Sequence, residues 1–376
     1  MLSALPPEIE EYRAVCRDFA TTHLTQYVKP ADEGVLLPHE LRLKLGELGA
    51  IGLPLPEEYG GGGGSHLAWA VLHEELSRVL PAVSMYFQTN TLVAAAILHA
   101  GTEAQIREWV PDLLSGKLSS FLAFTEPQTG TDTRMMTTRA TRTDDGWLIR
   151  GTKMWISNAR SSDIGIVFAK DPDDDISLFL VPTDLPGYQP GTQIPIIGVR
   201  GTELTDLVLD VEVPNENVLG GKTGGQFATL KDVMPMGKIG ICASCVGLMQ
   251  TCLEEAVTYA RNREQQGHPI IDFQAVHRLI ADMVAAIEAS RQITYWAAAC
   301  KDMWGAAGTE LATAKLFVTN KALEVARMAV SVHGVYGIAQ GATVERLLRD
   351  AQVFELLEGT SEVHREMVMR AVRGIG

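Results

Sequence analysis

Glu358 is the residue whose setting in this sequence most invites chemistry. It stands in "FELLEGTSEVHREM", behind Leu356 and Leu357 and in front of Gly359-Thr360-Ser361. A carboxylate set among apolar groups is held out of water, so its pKa rises and it becomes a stronger base near neutral pH. The same stretch also has a plain structural reading. Gly359 can end a helix in a left-handed conformation, Thr360 or Ser361 can cap the next helix, and Glu362 and Glu366 suit its start. Glu358 would then be the last exposed residue of a helix. The stretch alone leaves both readings standing.

Two further patterns resemble chemical sites but read better as structure. Cys242 and Cys245 form a CxxC inside the apolar, helix-like run "GKIGICASCVGLMQ" with no second pair, so they read as small buried residues and no metal site is expected. The glycines Gly60 to Gly64 lack GxGxxG spacing and a preceding strand. They read as a flexible turn rather than a phosphate cradle.

The elements that must position Glu358 fall into three regions. Residues 1–117 form a helical domain: "EIEEYRAVCRDFATTHL", "PHELRLKLGELGAIGL", "LAWAVLHEELSRVL" and "TLVAAAILHAG" carry apolar residues at spacings of three and four. Residues 118–225 read as a β domain, with a hairpin turning at Asp145-Gly146 and strands at "DIGIVFAK", "SLFLVPT" and "ELTDLVLDVEVP". Residues 226–376 return to long, amphipathic helices with short connectors, the pattern of a helical bundle. The class is therefore α+β, in the order helical, β, helical, with no internal repeat.

Composition narrows the function. The chain has 376 residues, is 46% hydrophobic and carries a formal net charge of −14, which argues against nucleic acid and anionic membrane surfaces as partners. No apolar run approaches the ~20 residues that span a bilayer. The acidic N-terminus "MLSALPPEIEEYRAVCRDFA" resembles neither a secretory signal nor a transit peptide. Five cysteines do not suggest a disulfide framework, and a cytoplasmic location is expected.

Six stretches, in order, resemble the acyl-CoA dehydrogenases from about residue 8 to the C-terminus: "LPEEYGG", "FTEPQTGTD", "GTKMWISNA", "GVRGTELTDLVLDVEVPNENVLG", "YARNREQQG" with "FQAVHRLIADM", and "RDAQVFELLEGTSEVHR". The resemblance implies an N-terminal helical domain, a central β domain and a C-terminal four-helix bundle, assembled as a homodimer or homotetramer that binds FAD. It implies α,β-dehydrogenation of an acyl thioester, with a glutamate taking the α-proton and the β-hydrogen leaving as hydride to flavin N5. Electrons would pass to an acceptor such as an electron-transfer flavoprotein.

The resemblance places Glu358 at the catalytic base, with its backbone N–H and a ribityl hydroxyl of FAD holding the thioester oxygen and Gly359 letting the backbone pass close to the ligand. Some relatives carry the base on the first long helix of the bundle; the matching position here is Gly237, which cannot serve. Phe124, Thr125 and Thr131 fall in the loop around the flavin ring and thioester, and Trp155 and Ser157 match the residues that cover it. Thr360 and Glu362 fall at the FAD phosphates and adenosine end. Arg263 matches an arginine that reaches the FAD diphosphate from a neighbouring subunit, and Gln266, Ser331, Gly334 and Val335 lie in the same gripping region. Gln266, Ser331 and Val335 depart from the family pattern, and the added bulk of Val335 is expected to crowd a close approach to FAD.

Lys238 and Pro235 replace a common Arg and Asp on the pantetheine path. A carrier-protein thioester, sharing only the pantetheine arm with acyl-CoA, thus stands as an alternative substrate. Tyr86, Phe87 and Gln88 align with the helix at the base of the acyl pocket, where their bulk favours short or medium chains. A flavin monooxygenase on the same fold is the rival activity, disfavoured by the intact "LLEGTS".

Overall fold

Apolar residues spaced three and four apart wind the first third of the chain into helices that bury one another. The computed structural model describes residues 5–374. Helices α1 (Pro7–Phe19), α2 (Thr25–Asp32), α3 (His39–Glu47), α4 (His66–Val79), α5 (Pro81–Ala100) and α6 (Glu103–Leu114) form this region. α4 starts where the Ser65 hydroxyl accepts from Ala68 N–H, and α6 where Thr102 and Gln105 form a reciprocal capping box. α5 is buried along nearly its whole length.

The glycine run after α3 is not a flexible turn. The amides of Gly62, Gly63 and Gly64 donate to the carbonyls of Gly52, Leu55 and Leu53 at 2.9, 2.8 and 2.7 Å. A Cβ on Gly61 would lie 2.2 Å from the Leu55 oxygen, so glycine is required by packing and those amides are spent within the chain.

Seven strands follow: β1 (Ser120–Ala123), β2 (Arg139–Arg142), β3 (Gly146–Ser157), β4 (Ile164–Lys170), β5 (Ile176–Pro182), β6 (Tyr188–Pro190) and β7 (Leu204–Pro214). Their order is β1-β4-β2-β3-β7-β6, with β5 also paired to β4. The expected hairpin joins β2 to β3 in antiparallel register, Arg142 opposite Trp147. β3 and β7 pair along most of their length but slip register between Lys153 and Ile156. The sheet has its own core, including Trp147, Ile149, Phe179, Leu207 and Val211.

The chain then enters α7 (Leu230–Asn262), a short hairpin of β8 (Glu264–Gln265) and β9 (His268–Pro269), and helices α8 (Gln274–Trp304), α9 (Gly308–His333), α10 (Thr343–Leu356) and α11 (Ser361–Arg373). α7 is the central rod, packed by α4 and α5 from the N-terminal region and by α8, α9 and α10 from the bundle. One hydrophobic core therefore spans both helical regions. By length and composition Val233–Asn262 is apolar enough to cross a bilayer, contrary to the expectation from the sequence, but 78% of its most apolar window is buried inside the protein. A helix surrounded on all sides needs no polar face. Cys242 and Cys245 are buried in it, and burial drives the Cys242 thiol pKa up to about 12.

Candidate active site

The turn that carries Glu358 is built from two successive left-handed residues. α10 ends at Leu356, Glu358 has φ +56° and Gly359 has φ +95°. A non-glycine residue in that region is held there by its surroundings. Lys315 of α9 does the holding. Its fully buried ammonium donates to the carbonyls of Glu355 and Gly359, both at 2.7 Å, and so brackets the turn from either side. α10 is itself pinned to the β domain, since Asp350 accepts from the amide of Val199 at 2.5 Å.

The Glu358 side chain lies on α7 at Gly237. A Cβ on Gly237 would sit 2.6 Å from the Glu358 carboxyl carbon, so glycine at this position makes room for the carboxylate. Oε2 of Glu358 is buried without a hydrogen-bond partner. Burial raises its pKa, and the nearby Lys238 and Lys315 ammonium groups oppose the shift without cancelling it. Of the two leucines expected to shield it, Leu357 packs on the core but Leu356 is 55% exposed and points away. Lys238 is half-buried one residue beyond Gly237, and burial lowers its pKa.

Gln88 of α5 reaches the same face of α7: a Cβ on Gly240 would lie 2.0 Å from Gln88 Oε1. Phe87 packs on His73. Tyr86 does not face this region, because its hydroxyl donates to Pro38 O at 2.9 Å and the Arg42 guanidinium lies over its ring.

Phe124, Thr125, Trp155 and Ser157 are gathered at the sheet. Met154 N–H donates to Thr125 O at 2.9 Å, tying the loop after β1 to the register slip in β3. At that slip Trp155 takes φ +61° and stays 49% exposed. A large aromatic held in a strained backbone and presented to the outside is suited to covering a flat ring. Phe124 is half-buried against Phe168 and Phe227, and Thr131 is exposed further along the loop.

The loop's anchor is the buried pair Glu126–Lys153, whose ends meet at 2.9 Å. Lys153 also donates to Phe124 O, and the Glu126 carboxylate receives Thr137, Thr138 and Gln128 as well. Burial would raise the Glu126 carboxyl, but hydrogen bonds from Thr138, Thr137 and Lys153 outweigh it and bring it down to about 2.

Thr360 precedes α11 and Glu362 is exposed in its first turn, paired with Arg365 at 2.9 Å. His364 lies beneath Gly359 with Nδ1 on Thr360 O, and burial takes its imidazole pKa down to about 4.

Arg263, Gln266, Ser331, Gly334 and Val335 form a separate group at the far end of α7. Arg263 stacks over Tyr336, next in sequence to Val335, while Ser331 Oγ donates to Arg327 O. From Gly237 to the end of α7 at Asn262 the helix rises by about 38 Å, so this group lies far from the Glu358 turn of its own chain. Val335 is 74% exposed and crowds nothing within the protomer.

The sequence reading missed Lys315, Glu126, Lys153 and His364. Lys315 had left a trace: it interrupts the apolar stripe Leu311, Ala314, Val318, Ala322 of α9. Glu126 and Lys153 stood inside the quoted motifs without a role.

Comparisons with known proteins cover nearly the whole chain. Family models described as the acyl-CoA dehydrogenase N-terminal, middle and C-terminal domains match residues 6–117, 122–211 and 227–373. The human mitochondrial short-chain specific acyl-CoA dehydrogenase is 34% identical, over 97% of this chain and 90% of that protein. Subunit CarC of the caffeyl-CoA reductase-Etf complex of Acetobacterium woodii is also 34% identical, over 95% of this chain and 96% of its own. A glutaryl-CoA dehydrogenase from Mycobacterium smegmatis, solved in complex with FADH2, superposes with a TM-score of 0.93 at 27% identity, covering 98% of this chain and 95% of that one.

Proposed function

This chain belongs to the acyl-CoA dehydrogenase family, and from that premise we propose that it dehydrogenates a short or medium acyl thioester with Glu358 as the base. It is an FAD-dependent oxidoreductase acting on CH–CH groups. The observation that carries the base assignment is the Glu358 carboxylate itself, packed on Gly237 with Oε2 buried and unpartnered. The α-proton of a thioester is weakly acidic, so its acceptor must be close, dry and unengaged. The Glu358 backbone N–H, in the turn bracketed by Lys315, would polarise the thioester oxygen.

The residues present fit FAD. Trp155, with its exposed face and strained backbone, would cover the ring system, with Phe124, Thr125, Thr131 and Ser157 around it. Thr360 and Glu362 would meet the phosphate and adenosine end. When bound, FAD supplies the acceptor for the hydride that leaves the β-carbon. Arg263, Gln266, Ser331, Gly334 and Val335, too distant to serve their own chain's site, would grip the cofactor of a second copy. Lys238 and Gly359 line the thioester path, and Gln88 closes the acyl end. The carrier is coenzyme A or a carrier protein, since the pantetheine arm is common to both. The likeness to CarC, a subunit of an Etf complex, supports an electron-transfer flavoprotein as electron acceptor. The negative charge and buried α7 fit a cytoplasmic enzyme.

The test is anaerobic stopped-flow bleaching of the flavin. Glu358→Gln should keep FAD and bind thioester, while the rate of bleaching falls by a factor of about 10²–10⁴ or more. Bleaching at the parental rate would place the base elsewhere.

A further inference from the structure

Beyond Glu358, the face of α7 that carries Gly237 continues through Gly240 and Ser244, positions that share one side of a helix. Here His73 of α4 and Ser84 and Gln88 of α5 meet Ser244 of α7, four polar side chains each at most 1% exposed. A Cβ on Gly240 would lie 2.0 Å from Gln88 Oε1 and 2.9 Å from His73 Cε1, so both groups sit one turn, about 4.5 Å along the axis, beyond the base.

One arrangement of the hydrogen bonds among them assigns the histidine its tautomer. Ser244 Oγ donates to Gly240 O at 2.7 Å, which commits its only proton. With that proton so placed, Ser84 donates across the 2.6 Å contact with Ser244. Ser84 then has no proton left for His73, so the imidazole donates from Nδ1 to the Ser84 oxygen. Nε2 of His73 is a bare acceptor, and it has no partner. Burial holds the ring neutral, with a pKa brought down to about 3. The carboxamide of Gln88 is equally unengaged, at both Nε2 and Oε1.

Buried polar atoms without partners are costly, and three of them meet here, one turn of α7 beyond Glu358. A plain alkyl tail would leave all three unsatisfied. A carboxylate would bring a charge and only acceptors to face the His73 lone pair. An ammonium would bury an unpaired charge beside neutral groups. A hydroxyl both donates and accepts. We infer that the acyl group taken by this protein is short and bears a hydroxyl at its far end, which donates to His73 Nε2 and accepts from the Gln88 carboxamide. The inference rests on the Glu358 turn being the thioester site.

The experiment compares butanoyl with 4-hydroxybutanoyl, and pentanoyl with 5-hydroxypentanoyl, as pantetheine thioesters, which carry the arm common to both carriers. Binding to Glu358→Gln holoenzyme is measured by titration calorimetry, and flavin bleaching is measured with the parent. At one of the two lengths the hydroxyacyl ester should bind tenfold to a hundredfold more tightly than its alkyl partner, roughly the worth of one to two buried hydrogen bonds. His73→Phe should abolish that preference while still binding the alkyl ester. Gln88→Leu makes the same test should His73→Phe fail to fold, and the parent's own selectivity needs no variant. Equal or weaker binding of both hydroxyacyl esters overturns the inference. Bleaching without a hydroxyl preference sinks the pocket assignment alone. A hydroxyl preference without bleaching sinks the base assignment and leaves the pocket. Binding of no ester overturns both.

Discussion

Charging the Glu358 carboxyl costs more in the folded protein than in the unfolded chain, because burial outweighs the attraction of Lys238 and Lys315. The folded state therefore keeps this proton to a higher pH than the unfolded state does. Between the two pKa values the folded protein binds more protons, so stability falls as pH rises through that window and stays lower above it. Two readouts follow. The rate of flavin reduction needs the deprotonated base, so its acid limb should lie above the ordinary carboxylate range. Glu358→Gln has no charge to bury, so at neutral pH it should melt at a higher temperature than the parent. A limb at the ordinary carboxylate pKa together with an unchanged or lower melting temperature would mean that the group is solvated. At this scale the sequence shows Glu358 plainly, since it sits beside a break between helices. It does not show His73, because a neutral histidine inside "LAWAVLHEELSRVL" is indistinguishable from core until its partners on α5 and α7 are known.

Among the elements, α9 holds the turn between α10 and α11 through one side chain. Lys315 lies 43 residues before Glu358 in the chain, a separation that no local period reports, although its place in the apolar stripe of α9 was visible. Lys315→Met keeps most of the length of the side chain and removes the donors. The carbonyls of Glu355 and Gly359 then lose their bracket, and the left-handed pair at Glu358 and Gly359 is free to relax. Flavin reduction at saturating thioester should slow by roughly a hundredfold, the cost of an ångström-scale misplacement, while the affinity for FAD stays near that of the parent. Loss of FAD together with activity would mean that Lys315 acts on the fold at large. The same limit explains the other departures. The long helices, the β2–β3 hairpin and strands β4, β5 and β7 followed from period and turn residues, whereas the short β1 and β6 carried too few residues for a period to show. The outward Leu356, the direction of Tyr86 and the packed glycine run depended on what lay across from them.

On the scale of the whole molecule, α7 separates two sets of candidate cofactor residues. Glu358 lies at Gly237, while Arg263 follows the other end of the helix, about 38 Å away. Beside Arg263 the exposed Val335, Tyr336 and Ile338 offer apolar surface to a second chain. If each FAD is shared, a site takes Glu358 from one copy and Arg263 from its neighbour. Two impaired variants should then repair each other. In a mixed dimer of Glu358→Gln and Arg263→Ala, one site receives both substitutions and the other receives neither. Random pairing in a two-fold dimer makes half of the molecules mixed, each with one intact site, so co-refolded protein should regain about a quarter of parental activity at limiting FAD. Each variant refolded alone should show far less under the same conditions. Were Arg263 to serve its own chain, every site in the mixture would carry one substitution or the other, and mixing would restore nothing.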